Sequence, residues 1–317
     1  MITFRAGSTE GGHWWWYRLA GISFRTDREI EALSPFRSGI PTLPPLAGQM
    51  GGFSTEDVPG RGDASGPLFP SGPPMRGEHL IYRGSGFVGG RLRHVEAWEY
   101  AGGTILELGE AGRFTVSLDG TKIRLLPPEG GGELSPLVTE GLLGPALTLA
   151  LARQGIWTLH ASAVALDRRV LLFAGSSGVG KSTLAASLPP PWRRIADDVV
   201  PFSVAKGRVL VHPHFPQLKL PPTAQYPPDA PEDLELREIY LLAPSSGEIA
   251  IEPVSPAKGV TSLVSHTVAA RLFDPPLLKR HLALCAELAV SHHVRRLRFP
   301  HDVTRLPEVA ARLASAA

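Results

Sequence analysis

Three groups of residues in this sequence could do chemistry together. Gly175-Ser176-Ser177-Gly178-Val179-Gly180-Lys181-Ser182 matches the pattern GxxxxGK[ST] at every fixed position, and Thr183 follows it directly. In such a run the glycines let successive backbone N–H groups turn inward on phosphate oxygens. The lysine reaches the outer phosphates of a nucleoside triphosphate, and the serine hydroxyl is placed to ligate Mg²⁺. The second group, Asp197-Asp198, begins 16 residues after Lys181, room for one helix and a returning strand. A carboxylate at a strand end beside a phosphate loop commonly holds Mg²⁺, and a second can accept the proton of an attacking hydroxyl. The third is His160, alone in an apolar run, where a histidine is more often a core residue than a functional one.

The loop works only if a strand delivers it and a helix leaves it. Val170 to Ala174 is a short buried strand, and the run from Ser182 to Leu188 favours helix, with the positive end of its dipole aimed at the loop. Trp157 to Leu166 reads as a strand carrying His160, turned by Asp167-Arg168-Arg169, and Trp192 to Val200 reads as the strand carrying the Asp pair. Leu137 to Gln154 has helical spacing and ends in Gly155. Helices are also predicted over Pro256 to Leu272, carrying His266, and over Leu277 to Val290, with Cys285 on its apolar side.

Upstream the texture differs. Strand patterns run over Trp15 to Arg25, His79 to Arg83, Arg93 to Tyr100, Thr104 to Leu108, Arg113 to Leu118 and Lys122 to Leu126. The Asp119-Gly120 pair between the last two is a hairpin signal. Residues 34–77 are dominated by Pro, Gly and Ser and read as a loop; the Arg61-Gly62-Asp63 triplet inside it is a chance match. The sequence therefore predicts a β-rich N-terminal domain over 1–130 and an α/β phosphate-loop domain over 131–317.

Composition narrows the classes. Of 317 residues, 43% are hydrophobic and 20% charged, which supports a large buried core rather than disorder. Lys plus Arg total 32 against 30 Asp plus Glu, a near-balance that argues against a dedicated nucleic-acid binder. The single cysteine excludes an internal disulfide framework and fits a reducing compartment. No apolar run nears the roughly 20 residues of a membrane span; Leu142 to Ala152 is interrupted by Gly144 and Pro145. The expectation is a cytoplasmic protein without membrane or nucleic-acid partners.

Taken together, Leu159-His160-Ala161-Ser162-Ala163-Val164, the loop from Phe173 to Thr183, and Ala196-Asp197-Asp198 resemble the catalytic domain of the HPr kinase/phosphorylase family. The likeness is nearer to a divergent branch that includes kinases of lasso-peptide precursors, which phosphorylate a C-terminal serine. Tyr17-Arg18-Leu19-Ala20-Gly21-Ile22, the run from His212 to Leu220 and the run from Leu297 to Asp302 also look similar to that branch. The resemblance implies a phosphate-loop fold related to phosphoenolpyruvate carboxykinase. It implies ATP and Mg²⁺ as cofactors, with Gly175 to Thr183 around the nucleotide and Lys181 and Ser182 on its phosphates and metal. Asp197 would be the general base and Asp198 the metal ligand, with the two roles exchangeable, and His160 would stand near the γ-phosphate. Thr183 replaces the acidic residue of the parent enzymes and their Gly-rich downstream signature is missing, so neither phosphorolysis nor HPr as acceptor is carried over.

The resulting expectation is transfer of the ATP γ-phosphate to a serine of a peptide or small protein, foremost a ribosomal precursor of the lasso type. Homo-oligomers are known in the parent family. An ATPase or sensor module and a small-molecule hydroxyl kinase share these residues and are the alternatives. Other features read as ordinary: Trp14-Trp15-Trp16 as core, His292, His293 and His301 as surface histidines, and Arg295, Arg296 and Arg298 as a solvated basic face; Lys219 reads either as a substrate or phosphate contact or as a solvated lysine.

Overall fold

The computed structural model describes residues 1–7, 14–39, 79–88, 91–126, 133–218, 220, 226–227, 230–232, 234–245, 247–291 and 294–316. The Arg61-Gly62-Asp63 triplet, Lys219, His292 and His293 lie outside them. The chain is mixed α/β, with two large sheets.

The first sheet contains β1 (Ile2–Arg5), β2 (Trp15–Leu19), β3 (Ile22–Thr26), β4 (His79–Val88), β5 (Arg91–Tyr100), β6 (Gly103–Glu107), β7 (Arg113–Ser117) and β8 (Lys122–Leu126), in the order β2-β3-β1-β8-β7-β6-β5-β4. From β8 to β4 it is an antiparallel meander, while β1 runs parallel to both β3 and β8. The single strand expected over Trp15 to Arg25 is a hairpin. Ala20 (φ 48°) and Gly21 (φ 75°) turn the chain between its halves, and the continuous aromatic and apolar run hides the turn. Tyr17 is buried in the core; Trp14 lies over the guanidinium of Arg25, 4.5 Å from its ring centre.

The connection to the second sheet is helical: α1 (Pro136–Gly141), a wider π turn over Leu142–Ala146, and α2 (Leu147–Arg153). Pro145 has no N–H to give the regular ladder, which accounts for the wider turn. There follow β9 (Ile156–Leu159), β10 (Ala161–Leu166), β11 (Arg169–Ala174), α3 (Lys181–Ser187), β12 (Arg193–Asp197), β13 (Val200–Ala205), β14 (Arg208–Val211), β15 (Leu234–Pro244), β16 (Ala250–Pro253), α4 (Pro256–His266), α5 (Pro275–Val290), β17 (Val294–Phe299) and α6 (Leu306–Ala316). The main order is β12-β10-β11-β15-β14-β13-β9, with β17 parallel to β15 and flanked by β16. β11 and β15 are parallel, and Val170 to Ala174 are at most 1% exposed, as a central strand under helices requires.

Two sequence expectations differ here in ways that matter. The strand over Trp157 to Leu166 is two strands broken at His160. Their fates diverge, β9 pairing with β13 and β10 lying between β11 and β12. The helix over Pro256 to Leu272 ends at His266, and the chain turns at Ala269 in a left-handed conformation (φ 62°).

One apolar cluster runs through both sheets, from Ile2 and Phe4 through Leu147 and Leu149 to Leu284 and Val294. Arg153, at the end of α2, is also buried, 8% exposed. Its guanidinium donates to the carbonyls of Val116 (3.1 Å) and Ser117 (2.6 Å), to Thr104 Oγ1 (2.6 Å) and to Asp274 Oδ2 (3.1 Å). Asp274 also caps α5 by accepting from the Leu277 N–H at 2.9 Å. Arg153 thus ties β6 and β7 of the first sheet to the start of α5. Arg153→Met is expected to lower unfolding free energy by about 3–5 kcal/mol, because it leaves a buried carboxylate and three acceptors unpaired. Urea denaturation measures this directly.

A second buried polar group has a pH signature. His281, on α5, is 1% exposed and pushed down to about 4 by burial, with Nε2 2.8 Å from Thr267 Oγ1. The folded protein keeps it neutral, whereas an unfolded chain protonates it below about 6.5. Its stabilisation is therefore complete above 6.5 and drains away as pH falls towards 4, about 3 kcal/mol in all. Urea midpoints at pH 7 and pH 4.5 should converge in His281→Gln relative to the parent. Cys285, one turn on, is buried as expected, its thiol pushed up to about 12 by desolvation.

Candidate active site

The loop from Gly175 to Gly180 leaves β11 and turns directly into α3. Three of its residues adopt positive φ: Gly175 (155°), Gly178 (80°) and Gly180 (98°). A Cβ on Gly175 would stand 2.9 Å from Val179 Cγ1, so the first glycine is required by space as well as by conformation. Ser176, Ser177 and Gly178 are exposed at the loop tip, and Thr183 is exposed on α3. Lys181 is buried, and its Nζ donates to the carbonyls of Gly175 (2.9 Å) and Ser176 (3.1 Å). The amine is thereby held across the loop mouth.

Asp197 reaches this loop through β10. Ser162 is paired in register with Phe173 of β11 on one side and Asp197 of β12 on the other. Asp197 Oδ1 accepts from Ser162 Oγ at 2.5 Å and from the loop's Ser182 Oγ at 2.8 Å. The Asp197 N–H is fixed by Gln217 Oε1 at 2.8 Å, and the Gln217 amide donates in turn to the Val199 carbonyl at 2.9 Å. The buried carboxylate and the loop hydroxyl form a pair of oxygen ligands of the kind Mg²⁺ takes. It is usually held by one or two protein oxygens and completes its shell with substrate phosphates. Among the described residues no three His, Cys, Asp or Glu side chains converge as an all-protein metal cage.

Asp198 is different. Its backbone sits at φ 94°, a conformation that favours glycine, and its carboxylate lies 3.0 Å from His160 Nδ1. His160 occupies the break between β9 and β10, its N–H donating to the His266 carbonyl at 2.7 Å. Both rims of that break are tied down: Leu159 bridges to Thr267, and the Asp198 N–H donates to the Ala161 carbonyl at 3.0 Å. The His160–Asp198 pair is half-buried. Sequence spacing could not show it, because it depends on β9 and β10 parting at His160.

Two cavities adjoin these groups. Asp197 and Asp198 lie in the wall of a cleft of about 390 Å³ that is shared with Tyr82 and Gly86 of β4. On the other flank, Gly175 and Ser176 border a cavity of about 380 Å³ with Lys258, Ser262, His266, Arg296 and Arg298. Arg296 and Arg298, expected on a solvated face, thus stand beside the loop, where both share Glu252 (3.5 and 3.3 Å). His266, expected to be structural, is pushed below the usual histidine range by burial, with the charges of Lys181 and His160 adding to the effect. Sequence reasoning gave no role to Ser162 or Gln217, although both lie within runs that it singled out. A short polar side chain in an apolar strand paired with the Asp strand was the available signal.

These features define the class first: an α/β chain in which a strand, a glycine-rich loop and a helix present Lys181 and Ser182 beside a buried carboxylate. No protein-family model matches the chain, and no curated protein matches it. Among solved structures the chain is similar to the Hpr(Ser) kinase/phosphatase from Coxiella burnetii. Identity is 14% and the TM-score 0.28, over 50% of this chain and 90% of that one. No helix among the described residues is long and apolar enough to cross a membrane.

Proposed function

We propose that this chain is an ATP-dependent kinase that transfers the γ-phosphate to a serine hydroxyl of a peptide or small protein. The observation that carries the reading is the division of the two carboxylates. Asp197 is buried against the loop's Ser182, while Asp198 is paired with His160 beside an open cleft. ATP with Mg²⁺ supplies the transferable phosphoryl group and neutralises part of its charge.

The chain's own residues have separable tasks. Loop amides and Lys181 bind and orient the phosphates, and their positive charge opposes the negative charge that builds during in-line transfer. Ser182 and Asp197 form the cation side of the site. Asp198 takes the proton of the incoming hydroxyl. His160 orients that carboxylate through the 3.0 Å contact and can share the proton. This assigns the two aspartates in the order opposite to the one the family resemblance implies. The geometry supports the exchange because Oδ1 of Asp197 is already committed to two hydroxyls.

The test is intact-mass spectrometry of candidate acceptors incubated with Mg-ATP and the protein, a lasso-type precursor peptide being the first to try. A single phosphate on a serine, absent with Asp198→Asn, is the expected result. ATP consumption with no labelled polypeptide would replace this reading by an ATPase or a small-molecule kinase.

A further inference from the structure

The cleft that holds the aspartates is walled by both sheets. Tyr82, Ser85 and Gly86 of β4 face it from the first sheet, and the turn after α4 and the segment after β14 close it from the second. Its volume of about 390 Å³ is at the lower end of the roughly 300–1,000 Å³ of small-ligand pockets, which admits a chain segment but no folded surface. The lining is largely apolar, with Val95, Leu143, Pro145, Phe215 and Leu272 among its residues.

Besides Asp197 and Asp198, two charged residues interrupt the apolar lining: Glu140 on α1 and Arg271 after α4. Among the described residues neither has an ion-pair partner. β4 is also the last strand of its sheet among the described residues, with the Tyr82 side chain lying over Gly84 and its hydroxyl donating to the Ser85 carbonyl at 3.3 Å. A terminal strand can pair along its edge with the main chain of an extended peptide.

We propose that the acceptor enters this cleft as an extended peptide segment along β4, with Glu140 selecting a basic residue and Arg271 an acidic one near the hydroxyl. The first sheet is then the specificity element of the enzyme. This rests on the kinase reading above, and the experiment separates the two.

The full chain, wild type and the variants Glu140→Lys, Glu140→Gln, Arg271→Glu and Arg271→Gln, is incubated with Mg-ATP and a degenerate peptide library. The library has one fixed serine and randomised flanks. Fluorescent-nucleotide affinity reports that each variant is folded, and the neutral glutamines stand in should a charge reversal disturb the fold. Wild type should enrich peptides that carry both a basic and an acidic residue. Glu140→Lys should exchange the basic preference for an acidic one, and Arg271→Glu the reverse, each changing kcat/KM for the matched peptides by about tenfold, the weight of one partly desolvated ion pair. The glutamine variants should lose the corresponding preference. Peptides phosphorylated with the same preferences by every protein would overturn the inference and leave the kinase reading intact. A library left unlabelled by wild type while ATP is consumed would overturn both.

Discussion

Lys181→Ala is expected to lower phosphotransfer by about 10²–10³-fold while leaving the fold in place, the scale seen when one preorganised charge donor is removed. Lys181 sits where charge must be opposed, and in the free protein its amine is held by the Gly175 and Ser176 carbonyls. Those carbonyls belong to the loop itself, so replacing them by phosphate oxygens requires a side-chain movement and no backbone rearrangement. Lys181→Arg should not rescue activity. A planar guanidinium is larger than an ammonium and has a fixed donor fork, and Lys181 is only 8% exposed. The measurement is kcat/KM with the best acceptor beside a thermal melt. Full activity in Lys181→Ala would sink the kinase reading.

The second large effect separates the aspartates. Asp198→Asn is expected to cut kcat by about 10²–10⁴-fold with nucleotide affinity preserved, the usual span for removing a general base. Asp197→Asn is expected to weaken Mg²⁺-dependent nucleotide binding and to destabilise the protein, since its carboxylate is the shared acceptor for Ser162 and Ser182. Nucleotide affinity with and without Mg²⁺, measured beside single-turnover rates, resolves the two. The opposite pattern would restore the order implied by the family resemblance. Asp198→Gly adds a test that does not depend on turnover. A φ of 94° is unfavourable for any residue with a Cβ. Glycine there should raise stability by about 1–3 kcal/mol as catalysis is lost.

Much of the site was legible because it is local. The loop, its strand and its helix lie within 169–187, and their pattern specifies backbone conformation residue by residue. Asp197 and Asp198 were found by type and distance, but their different surroundings were not. Which carboxylate meets Ser182 is set by the register of β12 on β10, which puts Asp197 opposite Ser162, and residue type alone does not show that pairing. The break at His160 escaped for a related reason. An apolar run satisfies one strand or two equally well, and the choice is made by β12 and β13, residues 193–205, competing for its two halves. The charges on the second flank of the loop were invisible as a group. Lys258 and Arg296 come together only because α4 and β17 pack beside β15.

The Arg153 clamp bears on how the chain is made. Its carboxylate partner is 121 residues downstream, so a chain growing from its N-terminus carries the first sheet and α2 with that contact unmade until Asp274 has been synthesised. The phosphate loop, His160 and both aspartates all lie between the two partners in sequence. A nascent chain therefore contains the loop, His160 and both aspartates before it can make the Arg153–Asp274 contact. Truncation between Arg153 and Asp274 leaves a buried cation without its counter-charge, which marks the shortened product for unfolding.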